Sequence, residues 1–575
     1  MSLLTTASLV ITPNAGEEGT LFSIVPDTGL GDMSVTRATT ATRVNSAGLV
    51  ELVPYNLLSY SEQVENAYWN KYQLSVTANN TTAPNGTNTA DLITQTGAGA
   101  GTFYVYPFDY VSGLYTSSCY FKKGTSNIAL IEGNPTSSAY SVSFNLDTEV
   151  ITINGAGTVS ADIESVGNGW YRCSVVANVN ASVGYVAYGL LGSVNDTMYV
   201  WGAQLVEGSV AKDYQKTETR LNIPRLDYSN GTCPSLLVEP QRTNLALYSS
   251  SFDSVFWDKS SGTITTNATT APDGNTTAEL FTANGTFNNH DFFQGFTGGS
   301  STTSTIYVKK NTAQFVYISL NYQSSGVNWA TGIYDLDNLT TATFQSGGVT
   351  NQVATISDEG NGWRRITLSV STANTALFCM YGVADSMSPS LSARGRVENS
   401  SSASFYAWGA QLEAGSYATS YIPTTSASVT RNADVISKTG ISSLIGQTEG
   451  TIFLDFYYDG STNNHMIIRD SGYATYIYFN SQNANELWGQ IQTANIQFSM
   501  SATAGRYKMA LAYKSGSSAL YVNGTQIGTS ATTFSVAGTI SELDYTLTTP
   551  NNKINASALW KTRLTNTQLA QLTTI

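Results

Sequence analysis

The feature that most constrains this 575-residue chain is that a long stretch of it occurs twice. Residues 56–71, NLLSYSEQVENAYWNK, return at 244–259 as NLALYSSSFDSVFWDK, an offset of 188 residues. The offset holds without a gap into TTAPNGTNTADL (81–92) and TTAPDGNTTAEL (269–280). Asn56, Tyr60, Trp69, Pro84, Gly86, Ala90 and Leu92 therefore match Asn244, Tyr248, Trp257, Pro272, Gly274, Ala278 and Leu280. Further blocks follow in the same order: YFKKG (120–124) with YVKKN (307–311), FNLDT (144–148) with YDLDN (334–338), and GNGWYR (167–172) with GNGWRR (360–365). Each copy closes on WGAQL, at 201–205 and 408–412. Ordered blocks with slowly drifting offsets mark a tandem duplication with altered loop lengths. Each copy spans about 170–180 residues, which suits one β-sandwich and is far too long for a solenoid repeat.

Local pattern gives the class. SSCYFKKG, YSVSFNLD, WYRCSVVANV and TMYVWGAQL alternate apolar with polar residues or carry β-branched and aromatic runs, and Gly, Asn, Ser and Asp turns separate them. TIYVKK, FVYISLNY, WRRITLSV and SFYAWGAQL repeat this in the second copy. Neither copy shows a helical period of ten residues. The expected fold is all-β, built of tandem antiparallel β-sandwich or jelly-roll domains with one wet and one buried face per sheet. The expected division is an N-terminal segment (1–55), module 1 (56–222), a linker (223–243), module 2 (244–432) and a third unit (433–575). In that third unit, RYKMAL and ALYV form a hairpin, Asn523-Gly524 signals a tight turn, and LTNTQLAQL reads as a short helix. Thr565 is its expected N-cap, with Leu569 and Leu572 on one face.

Composition excludes partners. The chain carries 27 Lys+Arg against 40 Asp+Glu, a formal charge of −13, so it offers no basic face for nucleic acid. No apolar run is long enough to span a bilayer, and the N-terminus makes a poor signal peptide. Only 12% of residues are charged, about half the usual share, and Ser, Thr, Asn, Gly and Tyr fill the deficit. The four cysteines form no CxxC pair. Cys119 and Cys173 align with Ile306 and Ile366, so they read as buried free thiols acting as small hydrophobes, as in a reducing cytoplasm.

Candidate chemistry is sparse. Trp69/Trp257, Trp170/Trp363 and Trp201/Trp408 recur in both copies and are expected to serve the shared core. The unpaired aromatics Trp329, Trp488, Tyr476 and Tyr478 are the candidate ligand-binding residues, because flat sugar faces stack on such rings. Surface tyrosines also serve protein interfaces. Asp147 and Asp337 read as repeated turn acids. No acid stands out in an aromatic cluster for glycosidase work, and two histidines leave little room for triad or metal chemistry. EF-hand spacing, HExxH, a G-x-S-x-G elbow and a phosphate-cradling loop are absent. No catalytic residue or cofactor is expected. A structural calcium remains open, with no ligand set fixed by the sequence.

The segments TRATTATRVNSAGLVELV (36–53) and IPRLDYSNGTCPSLLVEPQRTNL (223–245), each leading into N-L-x-x-Y-S, and the closing WGAQLEAGSYATSYIPT (408–424), resemble a group of bacteriophage virion proteins. In that group they surround carbohydrate-binding-module-like β-sandwiches of fibres, spikes and other appendages. The resemblance covers residues 34–435. The third unit is similar to laminin-G-like, concanavalin-type jelly rolls, down to the V-N-G-x-x-x-G hairpin and the closing helix. What these resemblances imply is a non-enzymatic virion protein, a head or tail fibre. It would dock on other virion proteins through residues 1–55 and bind host-surface or mucus glycans weakly and multivalently. It would be a homo-oligomer (a trimer or a dimer), assembled in the host cytoplasm and exposed on the particle. A decoration protein without glycan binding, or a capsule depolymerase, are the alternatives.

Overall fold

The computed structural model describes residues 3–110, 113–134, 139–180, 182–322, 328–372, 376–546 and 552–575. Its sheets are antiparallel throughout, and among the described residues the one α-helix is Asn566–Thr573. The chain is all-β. It forms two compact units, residues 53–223 and residues 1–52 with 224–575.

The first unit is module 1, a sandwich of two six-stranded sheets. One sheet runs, edge to edge, Val150–Ile153, Tyr140–Asn145, Ile128–Gly133, Ser182–Gly192, Gly99–Tyr110 and Asn70–Tyr72. The other runs Thr158–Gly167, Trp170–Val179, Gly113–Lys123, Thr197–Glu207, Ala90–Gln95 and Leu74–Thr81. Module 2, in the second unit, repeats both orders strand for strand. Its first sheet is Thr340–Ser346, Asn328–Asp335, Phe315–Tyr322, Ala376–Ala384, Asp291–Thr297 and Asp258–Ser260. Its second is Thr350–Gly360, Trp363–Ser371, Ser301–Lys310, Ser404–Ala414, Ala278–Ala283 and Gly262–Thr269.

The repeated residues serve this shared framework. All six recurring tryptophans are buried. The indole N–H of Trp170 donates to Thr82 O, and that of Trp363 donates to Thr270 O, both at 3.2 Å. Cys119 lies directly across from Cys173, as Ile306 does from Ile366. The three thiols of Cys119, Cys173 and Cys379 are buried and free. The repeated turn acids pair with the repeated lysines, Asp147 with Lys123 and Asp337 with Lys310, each at 2.6 Å on the surface.

The remainder of the second unit is a larger sandwich. One sheet runs Leu226–Asp227, Ser235–Val238, Asn552–Trp560, Glu449–Tyr458, Gly505–Lys514, Ser518–Val522 and Thr525–Ser530, with Leu9–Ile11 also paired to Asn552–Trp560. The nine-stranded sheet opposite runs Gly16–Glu17, Thr20–Leu21, Met33–Thr36, Val435–Lys438, Ile540–Asp544, Asn463–Asp470, Tyr476–Ser481, Glu486–Ile491 and Ile496–Ser501. Residues 1–55 and 223–243, expected as a docking segment and a linker, thus supply strands to this sandwich. Leu9, Ile11, Leu21, Met33, Val35, Leu236 and Val238 are buried in one core with Phe456, Ile468 and Leu511. Strands of two to four residues cannot bury a face alone, and they hold only because longer strands complete their ladders.

A buried ionic cluster ties the same segments together. Arg37 pairs with Asp434 at 2.8 Å, Arg225 with both Glu239 (2.7 Å) and Asp434, and Arg431 with Glu239 (2.7 Å). Arg225 and Glu239 echo Arg43 and Glu51 (2.8 Å) in the counterpart segment. The hairpin turn at Asn523-Gly524 has both residues at positive φ, the geometry of a two-residue type I′ turn. The closing helix carries the expected N-cap: the Thr565 hydroxyl accepts from Gln568 N in a full capping box.

Candidate functional site

In the C-terminal sandwich, strand alternation decides which side chains reach solvent. Within Tyr476–Ser481 and Glu486–Ile491, the residues Ile477, Phe479, Leu487 and Ile491 point into the core. Their neighbours Tyr476, Tyr478, Asn480, Glu486, Trp488 and Gln490 must then share the outer face. Register brings them together, with Tyr478 opposite Gln490 and Asn480 opposite Trp488. The Tyr476 and Tyr478 rings lie 5.4 Å apart, tilted by 39°.

Amides hold the rings in place. Tyr478 OH donates to Gln490 Oε1 at 2.7 Å, and Gln490 Nε2 donates to Asn480 Oδ1 at 3.0 Å. Trp488 Nε1 donates to Glu486 Oε2 at 3.1 Å. Burial first, and then the neighbouring Tyr476, raise the Tyr478 phenol above its ordinary range. The phenol therefore stays neutral as a donor and acceptor. At the end of this face Arg469 pairs with Glu542 at 2.8 Å, and its guanidinium lies 4.1 Å from the Tyr473 ring centroid.

The outer face of the opposite sheet is differently placed. Phe453, Ala510, Ala519, Tyr521, Ala558 and Trp560 are buried there against Leu564 and Leu569 of the closing segment and against Ala7 and Val10. One outer face is covered by Ala7, Val10, Leu564 and Leu569, and the other carries half-buried aromatic rings with the Asn480 and Gln490 amides buried among them.

Three of the four candidate residues thus meet on one surface. Trp329 stands apart in module 2, where its indole lies over Gly395, such that a Cβ there would fall 2.4 Å from the ring. Its N–H donates to Ala393 O at 3.2 Å, so one ring face is already spent on a loop. Asn480 and Gln490 were not singled out in the sequence. The signal for them is their two-residue spacing from Tyr478 and Trp488 along the same strands.

The displaced carboxyl groups lie elsewhere. Burial pushes Asp91 up to about 7 and Glu279, its counterpart in module 2, up to about 8. Asp91 accepts from Val64 N and Asn79 N at 2.9 Å, and Glu279 from Phe252 N at 2.6 Å. A displaced carboxyl marks a functional candidate in general, but a group present in both modules and engaged by backbone amides fixes a turn. Among the described residues no three His, Cys, Asp or Glu side chains gather as metal ligands.

No protein-family model and no curated protein sequence matches the chain. Solved structures similar to it include the tandem CBM22-1-CBM22-2 domain of Paenibacillus barcinonensis Xyn10C, at 10% identity and a TM-score of 0.19, covering 66% of this chain and 99% of that one. The LG1-3 region of the laminin alpha2 chain is 8% identical at a TM-score of 0.16, covering 80% and 95%. A Trypanosoma rangeli sialidase is 7% identical at a TM-score of 0.21, covering 98% and 93%. At scores this low these likenesses decide nothing about what this chain binds.

Proposed function

We propose that this chain is a non-enzymatic bacteriophage appendage protein, a head or tail fibre that makes weak, multivalent contacts with host-surface or mucus glycans. The observation that carries the glycan part is the outer face of the C-terminal sandwich. Tyr476, Tyr478 and Trp488, all half-buried, offer ring surfaces there, held in place by the buried Asn480 and Gln490 amides, an apolar platform of fixed orientation suited to sugar faces. The virion part rests on the worded motifs of residues 34–435 and on a surface poor in charge. Weak single sites suffice when many copies share one particle.

The test is binding of the full-length protein to an array of host-surface and mucin glycans, wild type beside Trp488→Ala and Tyr478→Ala. Binding to at least one glycan, lost in both variants, is expected. Silence across the array removes the adhesin reading and leaves a structural decoration protein. Electron micrographs of virions labelled against this chain test its place on the particle.

A further inference from the structure

The duplicated modules differ most between their last two long strands. In module 2, residues 385–403 intervene between Ala376–Ala384 and Ser404–Ala414, whereas in module 1 only residues 193–196 separate Ser182–Gly192 from Thr197–Glu207. The long loop folds back over the outer face of module 2's first sheet. Val397 is buried there with Tyr317, Ile333 and Met380. The Gly395 carbonyl accepts from Ser319 Oγ at 3.1 Å and from Thr331 Oγ1. The Arg396 guanidinium pairs with Asp291 at 2.5 Å and lies 5.1 Å from the Phe293 ring centroid.

Register identifies the same positions in module 1. Phe103 pairs with Tyr188 as Phe292 does with Tyr381, and Ile131 pairs with Tyr188 as Ile318 does with Tyr381. Tyr104 therefore replaces Phe293, Thr102 replaces Asp291, and the cross-strand pair Glu132 and Ser141 replaces Ser319 and Thr331. Within module 1 no loop covers them among the described residues. Tyr104 and Tyr185 meet edge to face at 6.1 Å. Tyr106, two residues along from Tyr104, is 59% exposed, and Tyr72, opposite Thr102, is 55% exposed.

We propose that this open face of module 1 is a second glycan site, specific for an uncharged saccharide chain, and that module 2 has lost the same site to its own loop. Tyrosine rings offer flat apolar surface to pyranose faces, and the Glu132 carboxylate, which already accepts from Tyr185, keeps further acceptor positions for sugar hydroxyls. Charge selects the occupant. Glu132 and Asp109 make this face acidic, with no Lys or Arg among its described residues, so an anionic glycan is repelled. An arginine-bearing peptide has lost its anchor, because Thr102 stands where Asp291 grips Arg396.

This site is independent of the C-terminal face, so the test uses full-length Trp488→Ala protein. Neutral hexasaccharides of gluco, manno, galacto and xylo configuration, a sialylated oligosaccharide, a hyaluronan hexasaccharide and the peptide LSARGRVE are titrated at up to millimolar concentration by calorimetry. Expected is binding of a neutral hexasaccharide, weakened about tenfold or more by Tyr72→Ala, Tyr106→Ala and Glu132→Gln. The two tyrosines are exposed, so their loss leaves the fold intact. The proposal is overturned if no neutral saccharide binds, if these variants bind as tightly as the parent, or if an acidic saccharide or the peptide is preferred.

Discussion

Replacing Asp434 with asparagine should destabilise the second unit by about 3–5 kcal/mol, the cost of removing one partner from a buried ion pair. Asp434 Oδ1 accepts from Arg37 at 2.8 Å, while Oδ2 accepts from Arg225 and from Glu239 N at 2.9 Å. All of these groups are buried. Asparagine keeps the shape but removes the charge that balances two guanidinium groups, and it turns an N–H toward one of them. The unit holds about 400 residues. At ~2.1 cal/mol/K per residue its unfolding entropy is ~0.8 kcal/mol/K, so a loss of ~4 kcal/mol lowers Tm by about 5 °C. Differential scanning calorimetry reads this directly, and the transition of module 1, a separate unit, serves as an unshifted internal reference. Arg37→Met is the sharper control. It removes a cation and leaves Asp434 paired with Arg225, so its cost should be well below that of Asp434→Asn. The reasoning fails if Asp434→Asn costs less than about 1 kcal/mol, or if Arg37→Met costs as much as Asp434→Asn.

Two further outcomes are expected. His465 is buried beneath Phe456 with its Nδ1 at 2.7 Å from Asn552 Oδ1, and burial lowers it to about 4. The unfolded chain takes up this proton near pH 6.5, so the stabilisation is complete above that value and is lost as pH falls toward 4, by ~3 kcal/mol in all. Glu279, raised by burial in the same unit, contributes a slope of opposite sign, so urea unfolding between pH 7 and pH 4 is read as the difference between wild type and His465→Gln, which lacks the His465 share; an equal slope in the variant would refute the assignment. For the thiols, burial raises Cys379 to about 12 and pushes Cys119 and Cys173 well above the ordinary thiol range, whereas Cys233 is exposed. Native protein should take up one equivalent of maleimide, at Cys233, and four after denaturation; a second rapid native equivalent would contradict the buried placement.

The parts of the fold legible in the sequence were those with many residues per strand. Alternation, as in Tyr140–Asn145, where every second residue is buried, leaves one reading of which face is buried. Duplication added a second sample of each strand, which is why the Cys119–Cys173 pair could be placed through Ile306 and Ile366. The N-terminal strands had neither advantage. Thr20–Leu21 has two residues and Leu9–Ile11 three, and the partner of the latter, Asn552–Trp560, lies at the far end of the chain. Pairing at that separation leaves no trace in local pattern. What did leave a trace is charge: Arg37, Arg225, Glu239, Arg431 and Asp434 lie within or beside the worded motifs that open and close the modules. Acids and arginines amid otherwise uncharged sequence are now accounted for as a buried cluster.

The candidate site divides the same way. Tyr476, Tyr478, Trp488 and Trp329 were all singled out as aromatics without a counterpart in the duplication; strand alternation and register bring the first three to one face, whereas the partner of Trp329 is a loop whose path no periodicity reveals. That loop also explains why uniqueness to one module was an incomplete guide to function. Trp329 is unique to module 2 because module 2 alone has Gly395 to cover. Conversely, Tyr104 and Tyr185 fall where Phe293 and Phe378 stand, so they are not unique to one module. In the structure Phe293 lies beneath Arg396, while Tyr104 faces outward with no covering loop among the described residues of module 1. A retained aromatic position therefore carries two meanings in a duplicated protein, and the length of the neighbouring loop, 385–403 against 193–196, distinguishes them.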